Sequence, residues 1–130
     1  MQFGLSPEQM LLRDSLDDYL GSQAPLERVR RFAESNEGRA EDLASGVAEL
    51  GASAVLIPET YGGLGLSPVD ACVFAEAFGY HATPVAYCAT AGIVPAAVLA
   101  AGSDAQKEKW LPKLASGELI VGAALSEHSG

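Results

Sequence analysis

Apolar and polar positions alternate along this chain with the period of helices, and hydroxyl residues mark where each helix starts. Ser6-Pro7-Glu8-Gln9 places a serine at an N-cap, a proline at the first helical position and a glutamine at N3. Met10, Leu12, Leu16, Tyr19 and Leu20 then recur near helical spacing, and Gly21 is the expected stop. Ser67-Pro68-Val69-Asp70 opens a second helix of the same kind, carried by Val73, Phe74, Ala77 and Phe78 to Gly79. Thr83-Pro84 is expected to open a third, and Ser103-Asp104-Ala105-Gln106 a fourth that carries Trp110, Leu111 and Leu114 to Gly117. Two weaker helices are expected between these, over 25–34 and 41–50, the latter with Leu43, Val47 and Leu50 on one face. Gly62, Gly63 and Gly65 rule out a helix across 51–67 and predict an ordered surface loop. The apolar run 119–125 reads as a strand. These elements give an all-α fold, a bundle of about six helices, with a C-terminal strand.

Composition sharpens this picture. Of 130 residues 48% are apolar and only 7% aromatic, and alanine dominates, which favours close-packed helices in one domain. Eight Lys and Arg against 17 Asp and Glu leave a net charge of −9. That argues against nucleic-acid binding, which needs a basic face, and against an anionic membrane surface. The stretch 82–103 carries no charge, but its Ala, Gly, Thr and Pro content and two prolines predict a fully buried helix of a soluble protein rather than a membrane span. The first residues lack the basic and apolar regions of a signal peptide, so a cytoplasmic location is expected. Cys72 and Cys88 fall within apolar segments and are expected to be buried, reduced thiols with no metal role.

Three motifs carry candidate chemistry. Ile57-Pro58-Glu59-Thr60-Tyr61-Gly62-Gly63-Leu64-Gly65-Leu66-Ser67 fits no phosphate loop, because no Gly-Lys-Ser/Thr follows and its glycines miss the dinucleotide spacing; backbone packing explains it better. The run 101–114 reads as a capped amphipathic helix whose Lys107, Lys109 and Lys113 form a solvated face. Ala124-Leu125-Ser126-Glu127 reads as a strand end with a hydroxyl and a carboxylate. Ser126 and His128 lack the setting of a hydrolytic nucleophile.

In this order and spacing the three motifs resemble the acyl-CoA dehydrogenase family over nearly the whole chain. The likeness begins with Phe3 and Ser6-Pro7-Glu8-Gln9. It includes Glu49-Leu50-Gly51, the glycine motif, Gln106-Lys107, Trp110-Leu111-Pro112 and Ser116-Gly117-Glu118, and ends in Ala124-Leu125-Ser126-Glu127. The resemblance implies a helical N-terminal domain over 1–118, with 119–130 opening a β-domain that is truncated here. It implies FAD as cofactor and α,β-desaturation of an acyl-CoA thioester by the full-length parent. The glutamate base of that reaction lies in the family's C-terminal domain, so no catalytic residue falls in this chain and the chain alone is expected to be inactive. Flavin contacts would come from Ala123, Leu125 and Ser126, and a wall of the acyl pocket from Ala89, Thr90 and Ile93, small enough at two positions for a bulky or long acyl group. Implied partners are the acyl-CoA, an electron-transfer flavoprotein or other acceptor, and further subunits in a homotetramer or hetero-oligomer. Two departures stand out: His128 follows the glutamate where the family often has proline, and Ala123 replaces a frequent aromatic. A flavin monooxygenase or acyl-CoA oxidase on the same fold, or a non-catalytic helical subunit, are the alternative readings.

Overall fold

In the computed structural model, which describes residues 4–124 and 126, six α-helices form the fold. They are α1 (Pro7–Gln23), α2 (Leu26–Glu34), α3 (Glu41–Glu49), α4 (Pro68–Tyr80), α5 (Val94–Ala101) and α6 (Asp104–Ala115). Short 3₁₀ turns occupy Ala52–Ala54 and Glu59–Tyr61, and a π-helix, Cys88–Ile93, runs directly into α5. Ser6, Ser67 and Ser103 each cap a helix with a complete capping box, as their sequence context predicts. Two of these boxes interlock. Gln9 Oε1 accepts from the Ser6 N–H at 2.9 Å while its Nε2 donates to Asp70 Oδ1 at 2.9 Å. Asp70 Oδ2 in turn accepts from the Ser67 N–H at 2.8 Å. The caps of α1 and α4, 61 positions apart, are thereby tied into one network. It holds the carboxyl of Asp70 below the usual range, through the Ser67 hydroxyl first and Gln9 second.

The core has two parts. In the first, Leu16 and Leu20 of α1, Leu43 and Val47 of α3 and Phe74 and Phe78 of α4 close over Val55. In the second, Leu111, Leu114 and Ala115 of α6 pack on Ala54 and Ile57, with Val94, Val98, Leu119 and Val121 at the margin. The glycine motif therefore lies between the two parts.

Several expectations are corrected. The α1 helix passes Gly21 and ends at Gln23, because Ala24 is still core and its N–H bonds the Leu20 carbonyl at 2.8 Å. Leu50 ends α3 on the rim, 38% exposed, rather than on the buried face with Leu43 and Val47. Residues 83–86 are non-helical, with the Val85 N–H on the Thr83 carbonyl at 2.8 Å, and the charge-free helix starts only at Tyr87; Thr83 caps nothing there. That helix is not buried all round: Ile93 is 48% exposed and Ala96, Ala97, Ala100 and Ala101 face outward. Both cysteines are exposed and unbridged rather than buried. The cause is common to both errors. Alanine and cysteine are small, so their apolar count does not record which side of a helix gains from burial. No residue of 119–124 is in a strand, and among the described residues none pairs with this segment as a ladder partner. No helix among the described residues is long and apolar enough to cross a membrane.

Candidate functional site

The glycine motif is a packed turn. After Ile57, whose side chain is fully buried, the chain reverses through the turn Glu59–Tyr61. The N–H groups of Leu64, Gly65 and Leu66 then donate to the carbonyls of Ala54, Ile57 and Val55 at 2.8–2.9 Å. Gly62 and Gly65 have φ of +79° and +59°, where a side chain is strained. At Gly63 a Cβ would lie against the carbonyl of Ile57. The N–H groups of 64–66 are spent on this backbone, so they are not presented to a phosphate.

The π-helix follows from Pro95. Without an N–H, proline cannot donate to the Ala91 carbonyl one α-turn back, and the ladder widens just before it, with the Val94 N–H reaching Ala89. This segment holds all three expected pocket residues but does not bring them into one cavity. Thr90 is 6% exposed, and its hydroxyl donates to the Val121 carbonyl at 3.1 Å. Ala89 lines a cavity of about 380 Å³ with Ala75, Phe78, Ala82, Tyr87 and Cys88. Ile93 lies on the exposed face. Beside them is Tyr87, which carried no distinguishing signal in the sequence. Its ring lies 4.7 Å from Phe78 and 6.1 Å from Phe74, and its hydroxyl donates to the Ala71 carbonyl at 3.2 Å. Burial first, and the neighbouring thiols of Cys88 and Cys72 second, push its phenol well above the usual range.

After α6, Gly117 turns the chain with φ +73°, and the Leu119 N–H bonds the Lys113 carbonyl at 3.1 Å. Leu119 and Val121 pack on the second part of the core, and Thr90 clamps Val121 from the π-helix. Beyond that clamp residues 122–124 and Ser126 are exposed. Ala123 and Ser126 are thus on an open, non-helical segment, while Leu125, Glu127 and His128 lie outside the described residues. Lys113 pairs with Glu118 at 2.9 Å and Lys109 lies 4.5 Å over the Trp110 ring, so two of the three lysines of α6 have local partners. Among the described residues no cluster of His, Cys, Asp and Glu could hold a metal.

The family description "Acyl-CoA dehydrogenase, N-terminal domain" matches residues 6–118. The chain is 34% identical over 129 residues to a (2S)-methylsuccinyl-CoA dehydrogenase of Cereibacter sphaeroides, a match covering 95% of the chain and 23% of that protein. It is 33% identical over 128 residues to a mitochondrial isovaleryl-CoA dehydrogenase of Pongo abelii, covering 95% of the chain and 30% of that protein. Among solved structures it resembles a chain of the ChsE4-ChsE5 complex from Mycobacterium tuberculosis, with a TM-score of 0.75 and 30% identity over 92% of this chain and 30% of that one. It also resembles an acyl-CoA dehydrogenase complexed with FAD from Bacillus anthracis, with a TM-score of 0.77 and 29% identity over 88% of this chain and 20% of that one. The chain spans less than a third of the length of each.

Proposed function

We propose a function from one premise: the chain belongs to the acyl-CoA dehydrogenase family, whose N-terminal domain residues 6–118 match. The family places it among flavin-linked oxidoreductases acting on acyl-CoA-like substrates. The reading adopted here is that this domain serves an FAD-dependent dehydrogenase that desaturates an acyl-CoA between its α and β carbons. The observation that carries it is the clamp of Thr90 on Val121. It links the element expected to wall the acyl group to the root of the segment expected to reach the flavin.

The residues present fit a flavin edge. An exposed segment with a serine hydroxyl and backbone donors can meet the ring's polar rim, and the similar Bacillus anthracis structure holds FAD. When bound, the flavin supplies a two-electron acceptor. This chain's part is to hold Ala123, Leu125 and Ser126 along it, where fixed donors stabilise negative charge arriving on the ring. Ala89 and Ile93, which share no cavity here, would meet the acyl group from separate sides of the π-helix, and buried Thr90 keeps the two segments in register. No group of this chain is assigned the α-proton, so turnover requires a base from elsewhere in the parent protein or its assembly.

The test uses the flavin-containing protein that carries this domain. Acyl-CoA should bleach its flavin anaerobically, and Ser126→Ala should weaken FAD retention or shift the flavin spectrum. A flavin left oxidised by every acyl-CoA tried, or a Ser126→Ala protein with unaltered spectrum and FAD affinity, counts against the reading. A second reading, a helical subunit of a two-protein assembly, is favoured by the likeness to a chain of the ChsE4-ChsE5 complex. In that case FAD and activity would appear only when a partner subunit is purified with this chain.

A further inference from the structure

Residues 82–86 carry the chain from the end of α4 to the π-helix, and three local weaknesses coincide in them. Ala82 has φ +49°, the only positive φ outside glycine among the described residues. It stands where the Thr83 N–H closes α4 on the Phe78 carbonyl at 2.9 Å, a position usually held by glycine because a Cβ is strained there. Thr83 has a hydroxyl shut away from solvent with no hydrogen-bond partner among the described residues, so it has lost its hydration and gained nothing for it. The Val85 N–H then bonds the Thr83 carbonyl at 2.8 Å, a tight three-residue turn in place of a helical or sheet bond, and Pro84 between them has no N–H to add. Packing does not offset this. Thr83, Val85 and Ala86 line the cavity of about 380 Å³ that includes Ala89. The same three residues line a second space of about 470 Å³, walled further by Val47 of α3, Ala91 and Ile120. The segment is thus a single pass of chain that fronts two voids. Its ends are held better. At one end the His81 N–H bonds the Ala77 carbonyl at 3.1 Å and the His81 ring meets Asp17 of α1 at 3.2 Å. At the other the Tyr87 ring packs on Phe74 and Phe78 while its hydroxyl donates to the Ala71 carbonyl.

We propose that residues 82–86 form a strap, hinged at Ala82 and anchored by His81 and Tyr87, that opens as a unit while α4 and the π-helix stay folded. Opening lets Ala82 relax to negative φ and gives the Thr83 hydroxyl access to water, so the open state is free of both strain and desolvation. It gives up the bonds from the Thr83 and Val85 N–H groups, which solvent replaces. Segments with few buried contacts and dispensable backbone bonds are the ones that open locally. Because the strap is the wall common to both spaces, its opening joins them. The device assigns no ligand to either space and does not depend on the dehydrogenase reading.

Amide hydrogen exchange of the protein tests it. The Thr83 and Val85 N–H groups should exchange together, at least about tenfold faster than those of Phe78 and Ala91 once intrinsic rates are allowed for. Low urea should leave their rate unchanged, because local opening exposes little surface. Ala82→Gly removes the left-handed strain, and Thr83→Val replaces the unpaired hydroxyl by a methyl group of the same shape. Each should slow exchange at Val85 roughly threefold or more. Thr83→Ser keeps an unpaired hydroxyl and should not slow it. Far-UV circular dichroism confirms that each variant is folded; the two slowing variants act at different atoms, so one decides the matter should the other not fold. A Val85 rate no faster than those of Phe78 and Ala91, a rate that rises with urea as theirs do, a folded Ala82→Gly or Thr83→Val protein with unslowed exchange, or slowing by Thr83→Ser would overturn the proposal.

Discussion

Two neighbouring glycines in one turn separate the effect of backbone conformation from that of packing. At Gly62 φ is +79° and nothing lies within 4 Å of an added Cβ. Gly62→Ala therefore meets only the left-handed penalty, about 1–2 kcal/mol, less a few tenths recovered from a stiffer unfolded chain. Gly63 has no positive φ, but its added Cβ would overlap the Ile57 carbonyl, which receives the Gly65 N–H at 2.8 Å. Relief requires displacing that carbonyl. The cost is about 1 kcal/mol for the hydrogen bond and a further ~1–3 kcal/mol for overpacking beside fully buried Ile57. Gly63→Ala should therefore lose about 2–4 kcal/mol, clearly more than Gly62→Ala. Urea unfolding followed by far-UV circular dichroism measures both, with an unchanged dependence on urea as the two-state control. A Gly63→Ala protein within about 0.5 kcal/mol of the parent, the scatter of ordinary surface changes, would refute the packing account. So would a Gly62→Ala protein that is the less stable of the two. If the loop bound phosphate instead, inorganic pyrophosphate would raise the urea midpoint; no rise is expected.

The network joining the α1 and α4 caps should make stability fall in acid. The pKa of Asp70 is lowered in the fold, so its contribution is complete above the unfolded carboxylate value near about 4 and is lost as pH drops through the folded value; Asp70→Asn should flatten that part of a stability–pH curve, and an unchanged curve would exclude the network as its source. Ser67→Ala should cost about 1 kcal/mol of thermal or urea stability, as other N-caps do. Thr90→Val should cost about 0.5–1.5 kcal/mol and speed amide exchange at 119–122; exchange confined to its parent rate would show that the clamp is not what holds that segment. The outward face of the π-helix and α5 should bind a hydrophobic dye or drive self-association, and Ile93→Glu should abolish either; a monomer that binds no dye would remove that face as a docking surface.

What was legible in the sequence is what local chemistry decides. Ser6, Ser67 and Ser103 announce three helices because a hydroxyl three residues before a Gln or Asp satisfies end groups with no help from the rest of the fold. Leu16, Leu20, Leu43, Val47, Phe74 and Phe78 were legible as core because large apolar side chains at helical spacing leave one way to bury them. The alanine-rich run was not. Its side chains gain so little from burial that the run is compatible with either side of the helix, and the exposure of Cys88 and Ile93 is set by which elements arrive next to it. The π-winding was hidden for a related reason: Pro95 is tolerated at the start of a helix, and only the observed continuity of Cys88–Ile93 with α5 turns it into an interior proline.

The candidate site divides along the same line. Ser126 and Ala123 could be named because a motif carries them, and the fold leaves them on the exposed segment after the clamp. The clamp itself, 31 positions across the chain, could not be read, since a threonine in an apolar helix looks the same whether its hydroxyl bonds its own helix or a distant carbonyl. The consequence is directional. Thr90 is the single described side chain that hydrogen-bonds the segment leading to Ala123, and Ile120 shares a cavity with it. A change at the π-helix therefore reaches the segment leading to Ala123 through the Thr90 hydrogen bond to Val121, alongside the packing of Leu119 and Val121 on the second part of the core.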